Sequence, residues 1–327
     1  MNRIITVGEL DRRIGLTEEE KKNIVKVTGK FRMGITPYYL GLIDKKNPNC
    51  PIRKQAVPSV NELNILEGEL DDPIGDICHS PVKGIVHRYP NRVLLFPTYV
   101  CASYCRHCFR RRIVGRNDRS LSSADLKIAI QYIGSHPEIT EVILSGGDPL
   151  LLTDESLEPI LKSIKMIRHV RWIRIHTRVL ATLPHRITSR LIKILKGAKP
   201  VIIVTHLNHS KEITPLMRKA VKRISDAGMM LLNQSVLLKG VNDNAEILRD
   251  LFAGLTECGV KPYYLHQCDP AKGISHFKVP LKKGIRIMKE LRESLPGVCL
   301  PIYMVEIPEG RGKMPVEIQK SQNNICY

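Results

Sequence analysis

The chain has 327 residues and a formal net charge of +19, with 43% hydrophobic and 25% charged residues. These proportions exclude a disordered or fibrous chain, and the length suffices for one large α/β unit. No apolar run approaches the roughly 18 residues of a membrane span, and the first ten residues lack a signal peptide's apolar core. Nine cysteines without a paired framework suit a reducing compartment. The composition therefore predicts a cytoplasmic protein that makes no membrane contact.

The excess of basic residues, 51 against 32 acidic ones, makes RNA a candidate partner. These charges are spread along the chain, however, and aromatic residues make up only 5% of it. The stacking platforms that single-strand binders use are therefore scarce. A solvated basic surface is the preferred interpretation over a nucleic-acid site.

The first 80 residues are predicted to form a mainly helical layer on the rest of the fold. Thr17 and Glu20 form a capping-box pattern that opens a helix through about Thr28. A second short helix is predicted over Val60–Leu70. The segment between these helices is divided by prolines, at Pro37, Pro48, Pro51 and Pro58.

From about Val93, short β-branched runs alternate with amphipathic helical stretches. The predicted strands are Val93–Phe96, Val142–Leu144, Trp172–Ile175, Val201–Val204, Met230–Val236, Tyr263–Leu265 and Pro301–Val305. The predicted helices between them include Ser123–Gly134, Leu157–Ile167 and Glu246–Cys258. This alternation predicts right-handed crossovers and an α/β fold, an open or partial (β/α) barrel over 81–300 followed by a segment 301–327. In such folds the chemistry lies at the C-terminal ends of the strands.

A loop of three cysteines follows the first predicted strand. Cys101, Cys105 and Cys108 have C-x3-C-x2-C spacing. Thiolates favour iron–sulfur clusters, zinc or copper(I), and His107 could complete a zinc site, so ligand count alone leaves the metal open. The spacing resembles that of the radical S-adenosylmethionine (SAM) enzymes. In those enzymes three cysteines hold a 4Fe–4S cluster, and the fourth iron binds SAM.

Three further patterns are compatible with ligand binding. Two glycines in the turn 145–148, after the second predicted strand, permit close approach of a ligand but also suit a tight βα turn. Arg88 and Arg92 could grip a phosphate or form an exposed basic turn. Lys313 lies on a glycine turn that is not a Walker loop, because Ile307 occupies the first glycine position. A lysine there could form a Schiff base if its pKa is lowered.

A series of motifs resembles the lysine 2,3-aminomutase family from about Ile35 to Pro315. In chain order the motifs are HRYPNR, CASYCRHCFRRR, SGGDPL, THLNH, NQSVLLKGVNDN, PYYLHQCDPAKGISHF and EIPEGRGKMP. The resemblance implies a radical SAM partial barrel with three cofactors: a 4Fe–4S cluster, SAM and pyridoxal 5′-phosphate (PLP). It also implies isomerisation of L-lysine to β-lysine, by a 5′-deoxyadenosyl radical acting on a PLP aldimine.

The resemblance implies roles for individual residues by position. Cys101, Cys105 and Cys108 bind the cluster, and Lys313 forms the aldimine. The PLP site contains Arg88, Tyr89, Arg92 and Gln234. The SAM site contains Ser145, Gly146, Gly147, Asp148 and His206. The substrate site contains Arg110 at the amino-acid carboxylate, and Asp269 with Glu306 at the distal ammonium. Such an anionic pair suits lysine better than glutamate, because it complements a buried cation.

Departures from the family pattern narrow the prediction. Glu306 stands where the free-standing catabolic enzymes have Asp, His266 where they have Tyr, and Asn244 where they have a zinc-binding Cys. With the short C-terminus, these features resemble the branch that makes (R)-β-lysine for modification of elongation factor P. Zinc is therefore not expected. The product enantiomer and arginine as an alternative substrate stay open on the residues alone.

Two other functions and several partners follow from these observations. The alternatives are a radical SAM enzyme acting on RNA, which the net charge suggests, and a non-catalytic iron–sulfur sensor. The predicted partners are L-lysine and an electron donor of the flavodoxin or ferredoxin type. A functional link to elongation factor P and its ligase is predicted as well. A homo-oligomer is a further option, since the helical N-terminal layer offers a contact surface.

Overall fold

A single nine-stranded sheet organises the computed structural model, which describes residues 2–115, 120–198, 200–307 and 312–316. The strands lie side by side in chain order, so each pairs with its sequence neighbours. They are β1 (Ile85–Tyr89), β2 (Arg92–Thr98), β3 (Glu141–Gly146), β4 (Trp172–Thr177), β5 (Val201–Thr205), β6 (Met230–Leu237), β7 (Lys261–Gln267), β8 (Ile302–Ile307) and β9 (Gly312–Pro315).

The seven strands from β2 to β8 run parallel, and one antiparallel strand lies at each edge. The sheet curls into an open half-barrel, which confirms the predicted fold class. All seven predicted strands are present, with bounds shifted by a few residues. The two edge strands β1 and β9 were not predicted. Of the C-terminal segment 301–327, residues 308–311 and 317–327 lie outside the described residues.

Eleven α-helices are found in the described part of the chain. Four precede the sheet: α1 (Val7–Ile14), α2 (Glu18–Thr28), α3 (Pro37–Leu40) and α4 (Pro51–Ala56). Seven lie in the connections between parallel strands: α5 (Ser123–Gly134), α6 (Asp154–Met166), α7 (Val179–Thr182), α8 (Ser189–Lys196), α9 (Pro215–Asp226), α10 (Ala245–Glu257) and α11 (Leu281–Ser294). None of the described helices has the length and apolar character that a bilayer crossing requires.

Helix α10 shows why the crossover helices pack against the sheet. Its buried residues recur at helical spacing, namely Leu248, Leu251, Phe252 and Leu255. This stripe packs against β7 and α11, and each fully buried side chain contributes about 1.5–3 kcal/mol. Asn244 caps the helix, since its side-chain oxygen accepts a hydrogen bond from Glu246 N at 2.7 Å.

The N-terminal layer matches its prediction in one helix and departs from it in another. Helix α2 has the predicted capping box, in which the Thr17 hydroxyl accepts from Glu20 N and the Glu20 carboxylate from Thr17 N. The helix predicted over Val60–Leu70 was wrong, because only the 3-10 turn Val60–Leu63 forms. The residues after Leu63 do not continue the helix. One of them, Glu69, instead contacts a distant loop, since its carboxylate accepts a hydrogen bond from Gly273 N at 3.0 Å.

Candidate active site

A cavity of about 630 Å³ extends along the sheet, from Arg92 and Glu141 at the beginnings of β2 and β3 to the loops that follow the C-terminal ends of the parallel strands. Every residue predicted for the site lines this one cavity. They are Arg88, Tyr89, Arg92, Cys101, Cys105, Cys108, Arg110, Ser145, Gly146, Gly147, Asp148, His206, Gln234, Asp269, Glu306 and Lys313. The chain therefore brings together residues that are up to 225 positions apart, at the place where a parallel α/β sheet builds ligand sites.

The cysteine loop is held in place by the N-terminal layer. Arg106 N donates to Gln55 O at 2.9 Å, and Tyr104 N donates to Gly34 O at 2.8 Å. An Arg3 guanidinium nitrogen donates to Cys101 O at 3.0 Å. The layer thus fixes the backbone of the loop from which the thiols project.

The three thiols of the cysteine loop line the cavity together. A 4Fe–4S cluster takes each of its thiolate ligands on a different iron, and three cysteines on one short loop suit this type of binding. The ring of His107 lies 5.5 Å from that of His206 and 6.1 Å from that of Phe277, and its Nε2 lies 3.3 Å from Asn208 Nδ2.

Burial governs the titration of the groups in this loop. It raises the pKa of Cys108 to about 11 and that of Cys101 well above its usual value. Arginines near the loop oppose this shift at Cys108, but burial outweighs them. Burial also lowers the pKa of His206 to about 3, so its imidazole is neutral.

The glycine turn after β3 packs directly on the backbone that leads into the cysteine loop. Gly146 has a φ of 94°, and a Cβ on Gly147 would lie 2.4 Å from Val100 O. Gly147 N donates to Thr98 O at 2.8 Å. Steric need at the strand end therefore accounts for both glycines, independently of any cofactor.

Asp148, the last residue of that turn, joins β3 to the end of β4. Its carboxylate accepts hydrogen bonds from Arg178 N at 2.7 Å and from the Thr177 hydroxyl at 2.8 Å. Burial raises the pKa of Asp148, although these donors oppose the shift. The side chain acts as a brace between two strand ends of the cavity wall.

Lys313 reaches the cavity from edge strand β9. The strand pairs with β8 so that Lys313 faces Glu306 across the ladder. Lys313 N donates to Tyr89 Oη at 3.0 Å, and the guanidinium of Arg92 lies 3.8 Å from the centre of the Tyr89 ring. Gln234 Nε2 lies 3.4 Å from Nδ1 of His176. Tyr89 therefore contacts both Lys313 and Arg92, and Gln234 lines the same cavity.

Two carboxylates and a lysine form the charged centre of this region. Burial raises the pKa of Asp269 to about 7, and the Lys313 ammonium opposes this shift. Burial likewise raises the pKa of Glu306, which forms an ion pair with Arg88. Lys313 is reached by solvent from the cavity, yet desolvation by the surrounding protein lowers its pKa. A lysine with a lowered pKa is a better amine nucleophile at neutral pH.

The three arginines after Cys108 are all engaged inside the protein. Arg110 donates from Nε to an Asp76 oxygen at 2.7 Å and lies 4.8 Å from the centre of the Phe96 ring. Arg111 pairs with Glu62, and Arg112 pairs with Asp72 at 3.0 Å. This run is therefore not a solvated basic patch.

Sequence reasoning missed several residues that shape the site. Arg178 donates from Nη1 to the Sγ of Cys105 at 2.7 Å, and Asp76 pairs with Arg110. His176 and Arg174 line the cavity from β4. The signal that could have found Arg178 is its place directly after β4, because the chemistry of such folds lies at the C-terminal ends of the strands.

The fold and the sequence define the class of protein. Residues 95–251 match the family model of the Radical SAM superfamily. A crystal structure of *Streptococcus suis* SuiB bound to S-adenosylmethionine has the same fold, with a TM-score of 0.50 and 15% identity, covering 67% of this chain and 48% of that one. The protein is a radical SAM enzyme, a class whose cofactors are a 4Fe–4S cluster and SAM.

Closer relatives define the family. An L-lysine 2,3-aminomutase of *Clostridium subterminale* is 47% identical over 315 residues, which are 96% of this chain and 76% of that protein. A glutamate 2,3-aminomutase of *Clostridioides difficile* is 42% identical, covering 96% of this chain and 74% of that protein. The chain belongs to the lysine 2,3-aminomutase family and is an isomerase with aminomutase activity. Because the relatives include enzymes named for lysine and for glutamate, membership of the family does not by itself define the substrate of this chain.

Proposed function

We propose that this protein is a PLP-dependent L-lysine 2,3-aminomutase that forms (R)-β-lysine. The observation that carries the proposal is the pair of carboxylates, Asp269 and Glu306, beside Lys313 in the cavity. Their raised pKa values mean that the nearby cations do not fully compensate the burial of the pair. A substrate with a distal ammonium would supply the missing positive charge, whereas the distal carboxylate of glutamate would add to the repulsion.

Lys313 would hold PLP, with Arg88, Tyr89, Arg92 and Gln234 around it. The contact of Tyr89 with the backbone of Lys313 and with the Arg92 guanidinium fixes the position of the lysine. Arg92 and Arg88 bring fork-shaped donors that suit a phosphate. When bound, the cluster and SAM supply a carbon radical, and PLP supplies the conjugated system that stabilises radical character beside the migrating nitrogen.

Cys101, Cys105 and Cys108 would hold the cluster at the other part of the same cavity. The turn from Ser145 to Asp148, together with His206, would line the SAM site. The cysteines and Lys313 line one cavity, so the residues that would hold the cluster and those that would hold PLP face the same space. An enzyme acting on RNA has no use for this lysine and its arginines beside a cluster, so their placement favours the aminomutase.

Arg110 would bind the substrate carboxylate. Asp76 uses two of its donors, Nε at 2.7 Å and Nη2 at 3.3 Å. A guanidinium has five N–H donors, so this pair leaves donors for a second carboxylate. Phe96 and Phe109, whose ring centres lie 4.8 and 4.6 Å from the guanidinium carbon, restrict its movement. The substrate would therefore lie between Arg110 and the Asp269–Glu306 pair.

The (R) enantiomer and a role in modification of elongation factor P are the finest parts of the proposal. They rest on the sequence features that resemble that branch: Glu306, His266 and Asn244. His266 lines the cavity, and burial keeps its pKa well below the usual value, so it would meet the substrate region as a neutral ring. The physiological reductant would be a flavodoxin or ferredoxin.

The test is anaerobic reconstitution of the full chain with iron, sulfide and PLP. The loaded protein is incubated separately with L-lysine, L-arginine and L-glutamate in the presence of SAM and dithionite. Derivatisation with a chiral reagent and chromatography then identify the product. We expect (R)-β-lysine from lysine, and no product when SAM or PLP is left out.

Each alternative result corrects a stated part of the proposal. β-Glutamate or β-arginine as the main product would overturn the substrate assignment. The (S) product would overturn the stereochemical assignment and the branch that it implies. Loaded protein that gives no β-amino acid from any of the three would reject aminomutase activity on these substrates. Transfer of the product to elongation factor P by its ligase tests the downstream role.

A further inference from the structure

We propose that Arg178 and Glu212 set the reduction potential of the cluster through the hydrogen bond that Arg178 makes to Cys105. The inference rests on the proposed cluster ligands and goes beyond them, because neither residue belongs to the predicted site. Arg178 touches the thiol of a cluster ligand, and Glu212 acts only through Arg178. Both are therefore positioning residues that adjust charge at the cluster.

The guanidinium of Arg178 connects the cysteine loop to the interior of the protein. Its Nη1 donates to Cys105 Sγ at 2.7 Å. Its Nη2 donates to Glu212 at 2.9 Å, to Gln55 at 2.6 Å and to the Tyr39 hydroxyl at 3.0 Å. Arg178 lines the cavity, whereas the three acceptors of Nη2 do not. One side of the Arg178 guanidinium thus contacts the proposed cluster ligand Cys105, and buried side chains hold the other side in place.

Burial makes this contact electrostatically strong. Arg178 is 8% exposed, while Glu212, Gln55 and Tyr39 are fully buried. An arginine stays protonated in proteins, so the donor to Cys105 is a permanent cation. Glu212 is held in turn by two backbone donors, Asn208 N at 2.6 Å and His209 N at 3.0 Å. The cation at Cys105 is therefore balanced by a fixed anion behind it.

The sign of each effect follows from charge. Hydrogen bonds to the sulfurs and the net charge nearby help to set the potential of an iron–sulfur cluster. Reduction adds one negative charge to the cluster, so the Arg178 cation stabilises the reduced state and raises the potential. The Glu212 carboxylate partly cancels this cation and lowers the potential. The two residues should therefore act in opposite directions, although both lie in the same hydrogen-bond network.

The experiment is a redox titration of the reconstituted full-length protein without SAM, followed by the electron paramagnetic resonance signal of the reduced cluster. Arg178→Gln should lower the equilibrium constant for reduction about tenfold, the size of one charge-assisted hydrogen bond. That factor equals about 59 mV for a one-electron couple. Glu212→Gln should raise the potential, and Arg178→Lys should lie between Arg178→Gln and the unchanged protein.

Tyr39→Phe is the matched control. It removes a neutral group that accepts from Nη2 and donates to Glu212 at 2.8 Å, but it keeps both charges of the network. Its shift of the potential should therefore be much smaller than that of either charge-changing variant. Iron content and thermal unfolding are measured on every variant, so that loss of the cluster is separated from a change in its potential. If Arg178→Gln does not retain iron, the other two variants still test the direction of the shift. The reduction potential should rise in Glu212→Gln and fall in Arg178→Lys.

Two results would overturn the inference. The first is an equal shift, or no shift, in Arg178→Lys and Glu212→Gln at full iron content, which would make the network structural only. The second is a weaker affinity for SAM with an unchanged potential, which would make Arg178 a ligand of the SAM carboxylate. An unchanged protein that binds no cluster would instead reject the proposed cysteine ligands themselves.

Discussion

Two pairs of buried carboxylates differ in the direction in which the protein moves their pKa values. Glu62 and Asp76 have lowered pKa values, whereas Asp269 and Glu306 have raised ones. Desolvation raises the pKa of all four and is the largest single influence on each. The difference therefore lies in how completely nearby cations compensate for burial.

The first pair is compensated by arginines from the run after the cysteine loop. Glu62 accepts from both Arg106 and Arg111, and Asp76 accepts from Arg110 with Arg112 close by. Each of these carboxylates meets two guanidinium groups, and their combined effect exceeds the cost of burial. Glu62 and Asp76 are thus ordinary structural anions that hold the cysteine loop against the N-terminal layer.

The second pair is left partly uncompensated at the wall of the cavity. Asp269 has Lys313 as its main cation, and Glu306 shares Lys313 while pairing with Arg88. Burial still prevails over these cations. A buried carboxylate whose burial is fully compensated by cations therefore stabilises the fold. One at a cavity whose burial is only partly compensated can recognise a cationic ligand.

The largest expected effect comes from removing the lysine that the second pair faces. Lys313→Ala should abolish turnover and the absorbance of bound PLP, because the amine that holds the cofactor is lost. Lys222→Ala is the control, since Lys222 forms only an exposed ion pair with Asp226. Absorbance spectra and β-lysine formation are measured together. Activity of Lys313→Ala without an added amine would contradict the assignment.

Glu62→Gln should lower the free energy of unfolding by about 3–5 kcal/mol, because it removes the carboxylate that two buried arginines pair with. It leaves Arg106 and Arg111 buried without their carboxylate. Urea unfolding of the apoprotein measures the change. The control is Glu158→Gln, which removes an exposed i,i+4 ion pair with Lys162 and should leave the free energy of unfolding nearly unchanged.

The stability of Glu62→Gln relative to the original protein should also depend on pH. Because the pKa of Glu62 is lower in the folded protein than in the unfolded chain, its contribution is fully present above the unfolded value of about 4.3. That contribution is lost as the pH falls through the folded pKa. The stability difference between the unchanged protein and Glu62→Gln should therefore shrink on acidification. A constant difference from pH 7 to pH 3 would contradict the role of the Glu62 charge.

Asp269→Asn should raise the KM for lysine about 10–100-fold, the range expected for a charge-assisted hydrogen bond. The substitution keeps the size of the side chain and removes the charge that faces the substrate ammonium. Glu306→Asp is the control, because it retains a carboxylate, and its KM should stay within about threefold of the original. Initial rates on the reconstituted enzyme measure both. An unchanged KM in Asp269→Asn would place the distal ammonium elsewhere.

The smallest effect is expected from pH alone. The pKa of Asp269 is about 7, and only its ionised form attracts a cation. The KM for lysine should therefore be constant at alkaline pH and rise as the pH falls below about 7, by at most about tenfold per pH unit. Asp269→Asn should flatten this dependence. A KM that stays constant between pH 8 and pH 6 in the original enzyme would argue against Asp269 as the titrating group.

The predicted elements succeeded where the local pattern was strong and failed at the sheet edges. All seven parallel strands carry β-branched or aromatic residues, and the helix Ser123–Gly134 was predicted with the bounds it has. Strand β9 covers only Gly312–Pro315 and contains Gly and Pro, so no local preference marks it. It exists because β8 offers an unpaired edge. Strand β1 was missed although Ile85, Val86 and Tyr89 favour strands, because the basic residues His87 and Arg88 interrupt its apolar run.

Local features of the sequence predicted part of the set of residues that line the cavity, and the resemblance of the motifs to a known family supplied the rest. Cysteine spacing and the positions directly after strands are local features, and the parallel sheet gathers all strand ends on one side. The resemblance of the motifs to a known family added their chemistry. Roles of single residues, such as Gly147, stayed ambiguous because close packing on Val100 is invisible in the sequence.

The pairing of the arginines with their carboxylate and thiol partners became known from the tertiary structure alone. Arg178 and Cys105 are 73 residues apart, and Arg106 and Glu62 are 44 apart, so no local pattern joins them. The sequence shows many arginines but not which carboxylate each one meets. Whether a buried carboxylate is compensated depends on distances across the folded chain, because electrostatic energy in a low-dielectric interior changes steeply with separation. That distinction separates the anions that hold this fold from those that can bind a substrate.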